Sequence, residues 1–385
     1  MRDTFLPFSP PLIGEEEISE VVDTLKSDWI TTGPKVKRFE NEFSAYLGGQ
    51  PVLATASATD AMLVGLAALG VGEGDEVITT PMTFCSTAHV IEHLGAKPVF
   101  ADVSPETLTI DPARIEEQIT PRTRAILPVH IYGHPCDMDP ILEIAATHKL
   151  AVLEDAAHAF TAAYKGKQIG TLGDLTAFSF YATKNITTAE GGMLSGSSDL
   201  IEEARLWSLH GMSRDSWTRY AEEGSWYYEV IRPGYKCNMT DIQAAIGIHQ
   251  LRKVDAFQQV RRKIAETYTA AFADLEEITP PMEKKDVVSA WHLYPIRLNL
   301  DMLTIDRSQF IEELKKRNIG SSVHFIPLHI QPYYRDKYGY APEDFPVAHA
   351  EYLRLVSLPI NLRLTEKDLA DVIEAVRDVI ETYRL

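Results

Sequence analysis

Cysteine is nearly absent from this sequence: Cys85, Cys136 and Cys237 are the only three in 385 residues, widely spaced and without a CxxC pair. No disulfide framework or cysteine zinc site is suggested, and a reducing compartment fits. Long apolar runs are lacking too, and none approaches the roughly 20 residues of a membrane-crossing helix. The opening segment MRDTFLPFSPPL is broken by prolines, so no secretory leader is read there. A soluble, cytoplasmic protein is the expectation. Positive charge is short: 37 Lys and Arg against 55 Asp and Glu give −18, which argues against nucleic acid or an anionic membrane as the main partner. GxGxxG, a Walker lysine, HExxH and GxSxG are all missing, leaving dinucleotide, nucleoside-triphosphate, zinc-hydrolase and serine-hydrolase chemistry without motif support. No metal site is expected.

What is present is an ordinary globular composition, 45% hydrophobic and 24% charged, long enough for two domains. Ile18, Val21, Val22 and Leu25 recur at helical spacing and predict a helix over 15–26. From there to about residue 195, seven short apolar runs alternate with helical patterns: PVLAT (51–55), EVITT (76–80), KPVFADV (97–103), RAILPVH (124–130), LAVLEDA (150–156), TAFSF (176–180) and GMLSG (192–196). Continuous apolar strands separated by helices indicate an α/β fold, a mainly parallel sheet flanked by helices. After about residue 240 the pattern changes. Thr240 and Gln243 form a capping-box pattern opening a long helical segment through roughly Leu275. The run 290–298 reads as a strand, with Trp291 and Tyr294 in a core. Asp306 and Gly320 bracket a further helix, and a last one starts at Thr365. A large domain over 1–248 and a smaller α+β domain over 249–385 are expected, with the N-terminal segment packed on the smaller one.

Three segments carry candidate chemistry. In TASATDAML (55–63) a strand passes into a helix through Ser57, Ala58 and Thr59; small residues and hydroxyls at a helix N-terminus suit an anion. Hydroxyls at a helix start are usually caps, so this segment does not establish a phosphate site alone. In LEDAAHAF (153–160) a strand ends on Glu154 and Asp155, with His158 close behind. Alone, these read as a cap and a core histidine. In SFYATKNITTAEGGMLSG (179–196) Lys184 stands among small and hydroxyl residues, where a lysine amine can trap a carbonyl as a Schiff base. A phosphate cradle, an acid for a pyridinium nitrogen and a lysine for an aldehyde are together what pyridoxal phosphate requires.

The chain resembles the DegT/DnrJ/EryC1/StrS sugar aminotransferases, members of the aspartate-aminotransferase fold (fold type I). The resemblance runs nearly end to end, through WITTGPKVKRFE (29–40), SATDAM (57–62), EDAAHA (154–159), SFYATKNITTAEGG (179–192), GYKCNMTDIQAAIG (234–247), AWHLYPIR (290–297) and VHFIPLHIQPYY (323–334). It implies that Lys184 bonds the cofactor aldehyde and shuttles the proton, and that Asp155 partners the pyridinium nitrogen. Ser57, Ala58, Thr59 and Ser179 would bind the phosphate, Phe84 would stack on the ring and His158 would pack beside it. Asn238 would reach the phosphate of a neighbouring subunit, which implies a homodimer with shared sites. Thr31, Thr32, His210, Lys236, His324 and His329 would line the substrate cleft, with Trp29 and Tyr333 near it and Arg232 beside Lys236 for a diphosphate. Glycines 191 and 192 would let neighbouring backbone approach closely. The implied reaction moves an amino group from L-glutamate, leaving 2-oxoglutarate, to C4 of a nucleotide-linked keto-sugar. KNITTAEGG and WITTGPK look closest to relatives acting on UDP-4-keto sugars, such as those making aminoarabinose. A C3-keto sugar, a cyclitol ketone and a non-catalytic regulatory role stay open as alternatives.

Overall fold

The computed structural model describes residues 2–212 and 227–385. Each of the seven apolar runs forms a strand: β1 (Val52–Thr55), β2 (Glu76–Thr79), β3 (Lys97–Phe100), β4 (Thr123–Ile126), β5 (Ala151–Asp155), β6 (Leu175–Ser179) and β7 (Gly192–Gly196). They make one sheet in the order β1-β7-β6-β5-β4-β2-β3. Only β7 runs antiparallel to its neighbours; the remaining pairs are parallel. Alternate side chains enter different cores. Val77 and Leu153 join one apolar cluster, while Ile78 and Val152 join another. Burial on both faces is why these strands read as unbroken apolar runs. The strands β1, β2, β4, β5 and β6 end on the same sheet edge, which is where ligands of such sheets collect.

The helix expected at 15–26 forms over those residues as α1 (Glu15–Lys26), but the side it buries is polar. Glu17 and Thr24 are fully buried, whereas Ile18, Val22 and Leu25 are 48%, 42% and 57% exposed. Glu17 accepts hydrogen bonds from Gln250 Nε2 at 2.9 Å and from Lys253 Nζ at 2.9 and 3.0 Å. The periodicity therefore located the helix, and its apolar stripe faces outward. Next, α2 (Pro34–Tyr46) starts at a glycine, Gly33, that has no side chain to cap it. Asp241, 208 positions away, supplies the cap: Oδ1 accepts from the N–H of Gly33 at 2.8 Å and of Val36 at 3.0 Å, and Oδ2 from Lys35 N at 3.1 Å. Ser57 caps α3 (Ala58–Ala68), its hydroxyl accepting from Asp60 N at 3.0 Å.

The long helical segment expected from Thr240 divides into α4 (Asp241–Arg252), with its capping box formed, and α5 (Val254–Phe272). The break is at Lys253 (φ −98°, ψ −4°), whose ammonium is held by Glu16 and Glu17 of α1. A boundary after residue 248 thus falls inside α4. Beyond it, β8 (Ile278–Thr279), β9 (Tyr294–Leu298), α6 (Arg307–Lys316), β10 (Leu355–Leu358) and α7 (Glu366–Tyr383) surround a third core. The sheet order is β8-β9-β10 and both pairings are antiparallel. Trp291 and Tyr294 are buried in this core, and Leu6 joins it. Asp306 caps α6 as expected. Gly320 does not end it, because the left-handed residue there is Asn318 (φ 60°). Gly320 is needed for close approach: a Cβ would fall 2.7 Å from the Leu6 carbonyl oxygen, which accepts Gly320 N–H at 2.9 Å.

Replacing Asp241 by Ala leaves three N–H groups of α2 without their acceptor. Asp241→Ala should lower unfolding free energy by about 3 kcal/mol, and Asp241→Asn by less because one oxygen remains. Urea denaturation checks this; an Ala variant as stable as the parent would contradict the capping role.

Candidate active site

A cavity of about 580 Å³ opens at the carboxyl edge of the large sheet, within the range of small-molecule sites. The large sheet contributes Ser57, Ala58 and Thr59 after β1, Thr83 and Phe84 after β2, and Val129 after β4. Asp155 and His158 follow from β5, and Ser179 and Lys184 from β6. The C-terminal part of the chain closes the opposite side with His292, Leu293, His324 and Phe325, and Phe8 of the N-terminal segment stacks on His324. Between Asp155 and Lys184 lie a short hairpin (Ala163–Tyr164 and Lys167–Gln168) and one further strand, β6. Asp155 ends β5 and Ser179 ends the parallel neighbour β6, which brings the two charged residues to one edge.

Both are buried. Burial pushes the Asp155 carboxyl up, while hydrogen bonds from Thr87 Oγ1 (2.8 Å) and Ala157 N (3.0 Å) and the charge of Lys184 pull the other way. Burial brings the Lys184 amine down to about 8, opposed by the Asp155 charge. Lys184 is therefore mainly ammonium at neutral pH with an amine fraction that grows toward pH 8, which suits a lysine that both bonds a carbonyl and carries a proton. Behind Asp155, on the other face of β5, Glu154 Oε2 meets His130 Nε2 at 2.8 Å with both fully buried. His130 Nδ1 accepts Cys136 N–H at 2.9 Å, so Nε2 carries the ring proton. This pair anchors the chain: His130 N–H donates to the Asp155 carbonyl at 3.0 Å.

The phosphate-sized corner is the start of α3. Ala58 and Thr59 are its first two residues, whose N–H groups have no helical acceptor. Gly192 keeps this corner tight: a Cβ there would lie 2.4 Å from the Ser57 carbonyl carbon and 2.6 Å from Ala58 N. Gly191 is equally crowded, by Thr188 Oγ1 at 2.1 Å from a built Cβ. His158 Nδ1 accepts Tyr132 N–H at 3.2 Å, and burial drives its pKa well below the usual imidazole value. Its neutral ring therefore carries the proton on Nε2. Phe84 is 57% exposed at the mouth and tilts against Phe325 at 5.9 Å.

Of the residues expected in the substrate cleft, only His324 lines this cavity. Thr31 is exposed, and its carbonyl accepts Asp241 N–H at 3.1 Å. Thr32 Oγ1 accepts from Asn238 Nδ2 at 2.6 Å, and Lys236 donates to Asn238 Oδ1. His210 is exposed and its N–H donates to Tyr235 O at 2.7 Å. Arg232 is paired with Glu203 over the Trp207 ring. His329 is fully buried against Phe345 at 4.9 Å, on a turn docked through Leu328 N–H to Pro81 O; a buried ring cannot be part of an open cleft. Sequence reasoning missed Thr83, Thr87, Phe325 and above all His292. The last stands inside the quoted AWHLYPIR, yet nothing in its local pattern distinguishes it from the core residues on either side.

A parallel sheet with one antiparallel strand, a buried lysine and carboxylate on its edge and a tight helix start beside them define the class of pyridoxal-phosphate-dependent aminotransferases. The model of the DegT/DnrJ/EryC1/StrS aminotransferase family matches residues 11–377, and the chain belongs to that family. It is 52% identical over 382 residues to the spore coat polysaccharide biosynthesis protein SpsC of Bacillus subtilis, covering 99% of this chain and 98% of SpsC. Among solved structures, Spr1654 of Streptococcus pneumoniae superposes with TM-scores of 0.92 (PMP form) and 0.91 (PLP form) at 36% identity, over 98% of this chain and 99% of that one. PseC of Helicobacter pylori, an aminotransferase involved in the biosynthesis of pseudoaminic acid, superposes with TM-score 0.90 at 30% identity, over 99% and 100%. The protein is a sugar aminotransferase that uses pyridoxal phosphate.

In cofactor-free protein, reductive methylation of Lys184 by formaldehyde and cyanoborohydride should be half-maximal near pH 8 and grow as pH rises. Asp155→Asn removes the charge that favours the ammonium, so the midpoint should move to lower pH. Peptide mass spectrometry reads both; a midpoint above that of surface lysines would contradict the burial argument.

Proposed function

We propose that the protein transfers the amino group of L-glutamate to the C4 keto group of a nucleotide-linked sugar, with UDP as the nucleotide. The observation that carries the transfer is that Lys184 and Asp155 line one cavity, with burial acting on the pKa of each. Bound pyridoxal phosphate supplies an electron sink and an aldehyde for the amino group. In this reading Asp155 holds the pyridine nitrogen, oriented by Thr87 and Ala157. Ser57, Ala58, Thr59 and Ser179 hold the phosphate at the start of α3, and Phe84 and His158 flank the ring. Lys184 would be the residue to bond the aldehyde, and its amine would carry the proton. No helix among the described residues is long and apolar enough to cross a membrane, and a cytoplasmic location is part of the proposal. Support for a sugar acceptor comes from the family and from the polysaccharide and pseudoaminic acid roles carried by the names of SpsC and PseC. Support for C4 and UDP comes from the KNITTAEGG and WITTGPK segments.

The working unit is a homodimer. The outward stripe of α1 leaves an apolar groove, lined by Ile13, Ile18, Val21, Val22 and Ile246, that runs to Ala182 and Ala189 on either side of Lys184. A second copy is the cover this reading assigns to it. Asn238 does not line its own cavity, which agrees with a role toward a partner's phosphate.

Borohydride should fix a phosphopyridoxyl group on Lys184. NMR of the product from UDP-4-keto and UDP-3-keto sugars with glutamate should place the new amine at C4. Label on another lysine, or amination at C3 alone, would refute the corresponding part. Subunit sharing has its own test. Mixed Asn238→Ala and Lys184→Ala proteins should regain one complete site per heterodimer and exceed the summed parental activity. With subunit exchange verified, no gain would refute sharing.

A further inference from the structure

The amino donor proposed above brings carboxylates into a cavity with little to receive them. Among the described residues lining it, Lys184 is the only lysine or arginine, and its amine is partly neutral; Asp155 and Glu190 are acids. The other groups of acid–base character are three histidines: His158, His292 and His324.

Two of these stand on the small-domain wall with one ring nitrogen committed and the other free. His292 Nδ1 lies 3.2 Å from Asn185 Oδ1. The Asn185 amide is oriented by its Nδ2, which donates to Ala290 O at 2.8 Å, so its oxygen must accept the His292 Nδ1 proton. Neutral His292 is thereby fixed with a bare lone pair on Nε2. His324 Nδ1 pairs with Ser357 Oγ at 2.9 Å, which also leaves Nε2. Behind His292 stands an unusual charge. Arg261 is 2% exposed and donates Nη1 only to the carbonyls of Trp291, His292 and Ile360. Among the described residues no carboxylate is paired with it, and its Nε has no partner. A buried guanidinium without a counter-ion makes this wall electropositive and is costly until an anion arrives.

We infer that His292 and His324, backed by Arg261, form the subsite for a carboxylate of the amino donor and its 2-oxo acid, and that His292 takes up a proton when the carboxylate binds. This rests on the amino-donor reading. The groups facing His292 are the His158 ring, 4.4 Å between centroids, Asn185 from the Lys184 loop, Arg261 behind, and the charges of Lys184 and His324. Those facing His324 are Phe8, Phe325, Ser357 and Lys184. None of the charged ones is an acid, so the empty site holds both rings neutral. Burial lowers His292 well below the ordinary imidazole value and His324 to about 4. A carboxylate supplies the missing negative charge and reverses that balance at His292, whose bare Nε2 would otherwise repel it.

The test uses holoenzyme and glutarate, a dicarboxylate with no amino or keto group, titrated calorimetrically in phosphate and in Tris. About one proton should be taken up per site, and affinity should fall roughly tenfold per pH unit above pH 7. The cofactor absorbance reports separately any proton taken at Lys184. His292→Asn should abolish the uptake and, like His324→Gln, weaken glutarate roughly ten- to hundredfold. Uptake that persists in His292→Asn, or affinity unchanged in both variants, overturns the subsite. The parent reading has its own control, the spectral change of wild-type holoenzyme on adding glutamate. No change would overturn that reading and the subsite with it, whereas a change without glutarate-linked uptake would overturn the subsite alone.

Discussion

The site depends on two opposite charges being drawn from water into one cavity. Burial alone drives each toward neutrality, the lysine by losing its proton and the aspartate by gaining one. Each opposes that drift in the other. The compromise leaves an amine that titrates at about 8 and a carboxylate steadied by Thr87 and Ala157. The sheet makes the juxtaposition possible. Because β5 and β6 run parallel and end together, two residues far apart in sequence are delivered to one edge without either leaving a rigid strand terminus by more than a few positions.

That edge is only half of a site. The other half comes from a domain whose core is separate and whose contribution is mostly imidazole and aromatic. The two halves are sewn together near the reactive amine. Asn185, next to Lys184, donates to Ala290 O and accepts from His292, so the loop that carries the lysine is tied to the small-domain wall. A displacement of one domain therefore reaches the lysine through two hydrogen bonds.

Much of this was legible because local signals agreed with tertiary demands. The seven strands announced themselves as unbroken apolar runs since both faces of the sheet are covered. The capping boxes at Thr240 and Asp306 are local chemistry and formed as read. Lys184 and Asp155 were singled out because small and polar residues follow an apolar strand. Features set by distant partners were not legible. Nothing near Gly33 tells that Asp241 caps α2, nothing near Lys253 tells that α1 pins it, and nothing near Gly320 tells that Leu6 crosses there. His329 and His324 look alike in sequence, and only packing shows one sealed against Phe345 and the other open to the cavity.

The polar attachment of α1 gives the N-terminal helix an unusual dependence on the medium. Burial alone would raise the Glu17 carboxyl, but bonds from Lys253, Gln250 and Gly14 outweigh it and hold it below the usual range. Glu20, bonded to Lys35 and His249, lies at about 2. Carboxylates depressed on folding stabilise the docked helix above their unfolded pKa, and that stabilisation drains away as the pH falls through the folded values. The partly exposed Glu20–Lys35 pair is also screened by salt. Acid and ionic strength thus loosen the polar attachment of α1, while the hydrophobicity of its outward stripe is indifferent to pH and strengthened by excluded salts. Acid or salt therefore acts on the anchored polar face of the helix and leaves its outward apolar face unweakened.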